Sequence, residues 1–201
     1  MKGEQMTKLD VQEPRTATRI LDVAERLVQV RGFNGFSYAN IAAELQITKA
    51  ALHYHFASKA ELGKALIERY STRFAEALVD VEAQYTEAPL RLRGFAGLYI
   101  DVLKERRMCL CGMMAAEYET LPPSMQSAVV RYIRENQSWL SDVLKRGKEQ
   151  GSLAFEGSPD EVASMIFGAL EGAMLMARPL DDVSGFESSA NRLLTGLRPV
   201  S

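Results

Sequence analysis

FSYANIAAELQITKAALHYHFASKAEL, residues 36–62, holds two short helical patterns separated by a tight turn, and the rest of the chain can be read outward from it. Ser37 is placed to cap a helix that carries Ile41, Ala42 and Leu45. Thr48 is placed to cap a second, on which Ala51, Leu52 and Phe56 share the inward side. Gln46-Ile47-Thr48 forms the turn, and Ile41, Leu45, Ile47 and Leu52 can glue the two helices together at an angle. Such a rigid platform lets the second helix protrude, as a helix-turn-helix requires. Its exposed positions would then be Thr48, Lys49, Ala50, His53 and Tyr54. They offer a cation, hydroxyls, an imidazole and a methyl face, suited to phosphates and base edges.

Upstream, Ile20, Leu21, Ala24, Leu27 and Val28 recur with the spacing of an amphipathic helix starting near Thr16, which Gly32, Asn34 and Gly35 end. Residues 1–14 carry no periodicity and are expected to form a flexible arm. Downstream, Ser58-x-x-Glu61 is a capping-box pattern that opens a long helix. Further helical runs follow to about residue 196, punctuated by Pro89, Pro122-Pro123, Gly157-Ser158-Pro159 and Pro179. No stretch alternates with period two. The expected fold is therefore all-α with about nine helices: an N-terminal helix-turn-helix domain over 15–62 and a C-terminal helical ligand-binding and dimerisation domain over 63–201. Charge is divided along the same line. Residues 15–64 hold seven basic side chains (15, 19, 26, 31, 49, 59, 64) against four acidic ones (22, 25, 44, 61), although the whole chain has a net charge of −2. A mildly basic module on an acidic body fits phosphate binding by one end, and chance scatter of charge is the competing reading.

The segment 16–70 resembles, without a gap, the DNA-binding signature of the TetR family of transcription regulators. The resemblance rests on RILDVAERLVQVRGF, the IAAEL helix, ITKAALHYHF and the SK-x-x-L entry to the fourth helix. It implies a ligand-controlled repressor of double-stranded, pseudo-palindromic operator DNA. By this resemblance Ser37 and Lys59 hold phosphates, Thr48, Lys49 and Ala50 face the groove, and His53 and Tyr54 contact backbone or bases; packing alone is the alternative role for the last two. Gln46 stands where the family usually has glycine, so its turn is expected to stay out of left-handed backbone space. His53 stands where the family often has tyrosine. A metal reading of His53-x-His55 is weak, because two residues on a helix point about 200° apart and the chain has no third histidine.

In the C-terminal part, residues 160–178 are apolar nearly all round, so this helix needs cover on every side. Gly168 and Gly172 would let a second helix approach closely, and the family resemblance implies that the last two helices pair with those of a second subunit. Phe167, Gly168, Glu171, Gly172 and Leu175 are the candidate homodimer interface; a monomer with a buried central helix is the alternative. Seven of the nine methionines (108, 113, 114, 125, 165, 174, 176) also lie here, beside several aromatics. Methionine suits adaptable cavities. Phe95, Tyr99, Met108, Cys109, Met113, Glu117, Tyr118, Trp139 and Met174 are accordingly the candidate pocket for a small-molecule inducer, although core packing explains many of them equally. Glu117 and Glu171 are the inward acidic candidates for recognising a cation.

MCLCGMMAAEYETLP, residues 108–122, resembles the stretch that carries the sensing cysteine in electrophile- and oxidant-responsive members of the same family. Arg106 and Arg107 would favour a thiolate at Cys109. A buried cysteine is also commonly an inert small hydrophobe, and both readings stand. Two cysteines are too few for a disulfide framework, and neither a signal peptide nor a membrane span is evident, so the chain is expected to be cytoplasmic. With both histidines inside the helix-turn-helix, the larger domain lacks a His-dependent triad, a metal cluster or a phosphate loop. No enzyme and no cofactor is expected, with carboxylate-only chemistry left open. A helical adaptor that has lost DNA binding is the other competing class.

Overall fold

The computed structural model describes residues 8–197, and the backbone alone for residues 8–14. Among the described residues there are nine α-helices and no strand: α1 (Lys8–Arg31), α2 (Tyr38–Leu45), α3 (Lys49–His55), α4 (Lys59–Gln84), α5 (Ala88–Lys104), α6 (Leu110–Ala116), α7 (Pro123–Glu149), α8 (Pro159–Leu180) and α9 (Val183–Thr195). A single 3-10 turn, Tyr118–Thr120, follows α6.

The N-terminal unit forms as its capping residues dictate. The backbone N–H and hydroxyl of Ser37 both donate to Asn40 Oδ1, fixing the start of α2. Thr48 Oγ1 accepts the Ala51 N–H at 3.1 Å and starts α3. Ile20, Ala24, Val28, Ile41 and Leu52 are completely buried between α1, α2 and α3. Burying each of the larger side chains, Ile20, Val28, Ile41 and Leu52, stabilises the unit by roughly 1.5–3 kcal/mol. The Tyr38 hydroxyl donates to the Phe56 carbonyl at 2.9 Å and locks the end of α3 to the start of α2.

Two sequence expectations change here. The periodic stripe begins at Ile20, but α1 begins at Lys8, so the part of the expected arm over 8–14 is helical, and residues 1–7 lie outside the described residues. Apolar periodicity reports the buried stripe and is silent about helix that precedes it. Gln46 does adopt the left-handed conformation, φ 56° and ψ 42°, as the C-cap of α2. Its exposed side chain offers no compensating contact that would explain a non-glycine residue there.

The C-terminal part packs α7 against α8 as its main layer, with α4, α5 and α9 around them. The boundary expected at 62/63 falls inside α4, a continuous 26-residue helix. Its first half belongs to the N-terminal unit: Arg69 reaches Asp22 at 2.8 Å and Glu25 at 2.7 Å on α1. Its second half enters an aromatic core, where Phe74 lies edge-on to Phe95, Tyr99 and Tyr132 at 5.6–6.0 Å.

Candidate functional site

On α3, Leu52 is fully buried, while Thr48, Lys49, Ala50, His53 and Tyr54 are exposed, Tyr54 to 73%. The turn at Gln46 sets the angle of α3, and the Leu52 anchor sets its rotation. His53 is oriented further: its Nδ1 lies 3.1 Å from the Ala57 carbonyl and its ring 4.8 Å from that of Tyr38. A carbonyl can only accept, so Nδ1 is the donor in this contact and Nε2 is the ring nitrogen left for another partner. His53 thus both packs and keeps one face outward. Tyr54 lies edge-on to His55 at 5.3 Å.

Beside α3, a notch of about 380 Å³ is lined by Ser37, Lys49, His53 and Lys59 with Phe36, Tyr38 and Ala39. Two ammonium groups, a hydroxyl and an imidazole converging on one concavity suit a phosphate oxygen. Lys59 is held from inside. It donates to the Phe36 carbonyl at 2.6 Å and sits over the rings of Phe33 and Phe36, 4.6 and 4.4 Å from their centroids. Burial lowers its pKa, partly offset by the charge of Glu117. Lys59 is therefore a half-buried keystone with donors to spare, whereas Lys49 is the freely exposed cation.

The second feature is α6. Its N-terminal end is tied to α8 and α1: the Cys109 N–H donates to Met174 Sδ at 3.4 Å, and the Met108 N–H to the Gln29 carbonyl at 3.2 Å. Just past its C-terminal end, the Glu117 carboxylate accepts the Phe33 N–H at 2.6 Å and the Asn34 N–H at 3.2 Å. Asn34 Nδ2 also donates to Thr120 Oγ1 at 2.7 Å. Phe33 and Asn34 form the corner between α1 and α2, where Gly32 has φ +83° and a Cβ would meet Glu117 Oε1 at 2.6 Å. Arg178 of α8 bonds the Val30 carbonyl beside that corner. α6 is thus a seven-residue strut pinned at one end to α8 and at the other to the helix-turn-helix.

A cavity of about 290 Å³ opens along this strut, between α6, α7 and α8. Met108, Met113, Ile133, Phe167 and Leu175 make it largely apolar; Tyr132 and Glu171 bring the polar atoms. Of the pocket residues read from the sequence, the structure brings Met108 and Met113 to this cavity. Cys109 and Met174 are fully buried behind it. Phe95, Tyr99 and Trp139 belong to the aromatic core, Phe95 stacking on Trp139 at 5.7 Å and lying 5.6 Å from Tyr99. Tyr118 sits on the 3-10 turn, its carbonyl accepting from Gln126. Glu117 is corrected outright: its carboxylate holds the α1–α2 corner, because the turn's orphan N–H groups attract an acceptor that a pocket interior would leave unpaired.

The expected interface residues divide as well. All five line the cavity between α6, α7 and α8; Gly168, Gly172 and Leu175 are also exposed at its mouth, Phe167 is buried and Glu171 turns its carboxylate inward. Met165, Met176 and Leu180, which the sequence reading omitted, complete the outward apolar face of α8; Met176 is 60% exposed and Leu180 72%. Cavity residues missed from the sequence include Tyr132, Ile133 and Gly112. Tyr132 and Ile133 follow from how α7 is rotated, which no local pattern reveals. Gly112 did carry a signal, since glycine inside a helix is unfavourable unless something must approach closely.

Cys109 lies at the N-cap of α6 with Sγ accepting the Gly112 N–H at 3.4 Å and 3.8 Å from the Tyr132 hydroxyl. Burial pushes its pKa well up, and the Glu171 carboxyl adds to the shift. The expectation that Arg106 and Arg107 lower it is overturned. Arg106 is exposed and pairs with Asp181 at 3.4 Å, and Arg107 with Glu105 at 3.1 Å. Both cysteines are buried and unbridged. Among the described residues no cluster of three or more His, Cys, Asp or Glu could hold a metal ion, and no helix is long and apolar enough to cross a membrane.

A family model described as bacterial regulatory proteins, tetR family, matches residues 20–66, which span the helix-turn-helix. A second, tetracyclin repressor-like C-terminal domain, matches residues 88–193. The chain belongs to the TetR family. It is a DNA-binding transcription regulator, as are its relatives. The transcriptional regulator AcuR of Cereibacter sphaeroides is 28% identical over 152 residues, covering 74% of this chain and 69% of AcuR. The transcriptional repressor NemR of Escherichia coli is 27% identical over 173 residues, covering 83% and 85%. A TetR-family regulator from Agrobacterium tumefaciens has the same fold, with a TM-score of 0.90 and 28% identity over 93% of this chain and all of that one. TetR-family regulators bind operator DNA, form dimers and bind small-molecule ligands.

Proposed function

We propose that this chain is a homodimeric repressor that leaves a pseudo-palindromic operator when a small molecule occupies the cavity between α6, α7 and α8. What carries the reading is the double anchorage of α6: the same short helix walls the cavity and, through Glu117, holds the α1–α2 corner on which α3 is mounted. A ligand that fits one arrangement of α6 better than another biases the spacing of the two recognition helices. The coupling is bounded by its differential affinity for the two arrangements.

On DNA, Lys49 and Lys59 with Ser37 would take phosphates, while Ala50, His53 and Tyr54 would meet the groove and Thr48 would set the start of the helix. Dimerisation would use the outward face of α8: Met165, Leu175, Met176 and Leu180 are half exposed or more, and a Cβ built on Gly168 or Gly172 meets nothing within 4 Å. A second helix can approach that face closely, and a twofold dimer presents two α3 helices about 34 Å apart. The regulator would act in the cytoplasm, without a cofactor and without catalysis. Reversible binding is favoured over capture of an electrophile at Cys109, whose thiol is sealed and held protonated.

The test is selection of genomic fragments by the purified protein, then a release screen on the recovered operator. Enrichment of a palindromic site that a small molecule frees supports the reading; failure to enrich any sequence refutes it.

A further inference from the structure

The most unusual group outside the DNA face is the Glu171 carboxylate. It lies on the wall of the α6–α7–α8 cavity, on the side of α8 that also faces Cys109 and Tyr99. Its Oε1 is sealed from solvent and has no hydrogen-bond partner. Its Oε2 occupies the space beside Gly112, where a Cβ would come within 2.3 Å, so the glycine makes room for the carboxylate. Around it the cavity is apolar: Met108, Met113, Ile133, Phe167 and Leu175. The neighbouring thiol of Cys109 and hydroxyl of Tyr99 do not remove the effect of burial, which raises the carboxyl's pKa. No arginine, lysine or histidine lines the cavity.

A buried carboxylate that meets only the Cys109 thiol and the Tyr99 hydroxyl, with no countercharge beside it, is unfavourable until a stronger donor or a cation reaches it. Because the room for it is built by a glycine at some expense to helix α6, packing alone does not account for the arrangement. A cavity of this size, at the small end of ligand sites, admits a compact molecule. The rest of its wall rewards an apolar body, with Met108 and Met113 adapting to its outline.

We propose that this cavity binds a small amphipathic ammonium ion, its N–H donors on Glu171 and its apolar body against the methionines, Ile133 and Phe167. This rests on the reading that the cavity is the effector site and gives the effector its chemical class. An anion is disfavoured by the facing carboxylate. A neutral donor such as an alcohol could bond Oε1 but would bring no countercharge, and a wholly apolar molecule would leave Oε1 unpaired.

The experiment uses three near-isosteric probes on the full-length protein: 2-phenylethylammonium, 2-phenylethanol and phenylacetate, with binding followed by calorimetry. The ammonium is expected to bind about tenfold or more tightly than the alcohol, and phenylacetate weakest. Glu171→Gln keeps the shape, so it should remove the ammonium's advantage while leaving the alcohol's affinity within about twofold. Equal affinity of the three probes, a preference unchanged in Glu171→Gln, or no saturable binding of the ammonium at millimolar concentration overturns the proposal. Loss of dimer in Glu171→Gln also overturns it, by assigning the carboxylate to a group on a second copy. Operator release is read separately: Glu171-dependent ammonium binding that leaves DNA affinity unchanged upholds the site and refutes its regulatory role.

Discussion

Replacing Glu117 by alanine cuts the tie between α6 and the helix-turn-helix, and its effect can be worked from the contacts. The carboxylate accepts two backbone N–H groups, from Phe33 at 2.6 Å and Asn34 at 3.2 Å. Hydrogen bonds to a charged acceptor contribute about 1.5–3 kcal/mol each, least where water can take over. Asn34 is exposed, so its amide finds water when the carboxylate leaves. The Phe33 amide is screened by its own buried ring and carries most of the loss. Together the change should destabilise the protein by about 2–3 kcal/mol, a fall in Tm of about 5–10 °C for a chain of this length. The assay that isolates the cause is amide hydrogen exchange. Protection of Phe33 and Asn34 should drop by about thirty- to hundredfold, while the amides of α7 and α8 stay closer to wild type. Glu117→Gln keeps a neutral acceptor and should fall between. A Tm within about 1 °C of wild type, with unchanged protection at Phe33 and Asn34, would refute the reasoning and leave α6 coupled by packing alone.

Four further outcomes follow from the geometry. Gln46→Gly relieves a left-handed residue and should stabilise the fold by about 0.5–1 kcal/mol in denaturant unfolding, with operator affinity unchanged; destabilisation would mean the glutamine makes an undetected contact. Native Cys109 should react with N-ethylmaleimide far more slowly than the unfolded chain, because burial holds it as the thiol; burst labelling at neutral pH contradicts that. Met176→Glu places a charge on the apolar face of α8 and should give monomers by light scattering, with operator affinity down about a hundredfold; a retained dimer would move the interface elsewhere. Glu171 binds its proton more tightly folded than unfolded, so its contribution is full below its ordinary value of 4.5 and is lost as pH rises through the raised folded value. Glu171→Gln, free of that loss, should therefore gain stability over wild type as pH rises above 4.5; a Tm difference that does not grow with pH would contradict the shift.

The N-terminal half was legible because its instructions are local. Ser37, Thr48 and Ser58 cap the helices they precede, and the exposed positions of α3 follow once Leu52 is inward. What local pattern could not carry was the pairing of distant groups. Glu117 lies 84 positions from Phe33, and its partner N–H groups are invisible in a string of side chains. Arg106 and Arg107 stand beside Cys109 in the sequence yet point to Asp181 and Glu105, so proximity along the chain misjudged the thiol's surroundings. The apolar character of residues 160–178 signalled that every side is covered but not by what, so Phe167 was assigned outward when the helix turns it in, and Glu171 was read both as an interface residue and as an inward acid.

The continuity of α4 limits how this regulator can be taken apart. A fragment ending at residue 62 would sever the helix after its first turn, discarding Leu66 and Ile67, which are fully buried, and the Arg69 ties to Asp22 and Glu25. The recognition unit is therefore not a detachable bead on a string. A graft onto another sensing body must carry the helix at least through Arg69 and retain a carboxylate that reaches the corner at Phe33. Chimeras joined at the apparent boundary would inherit the DNA contacts without the frame that aims them.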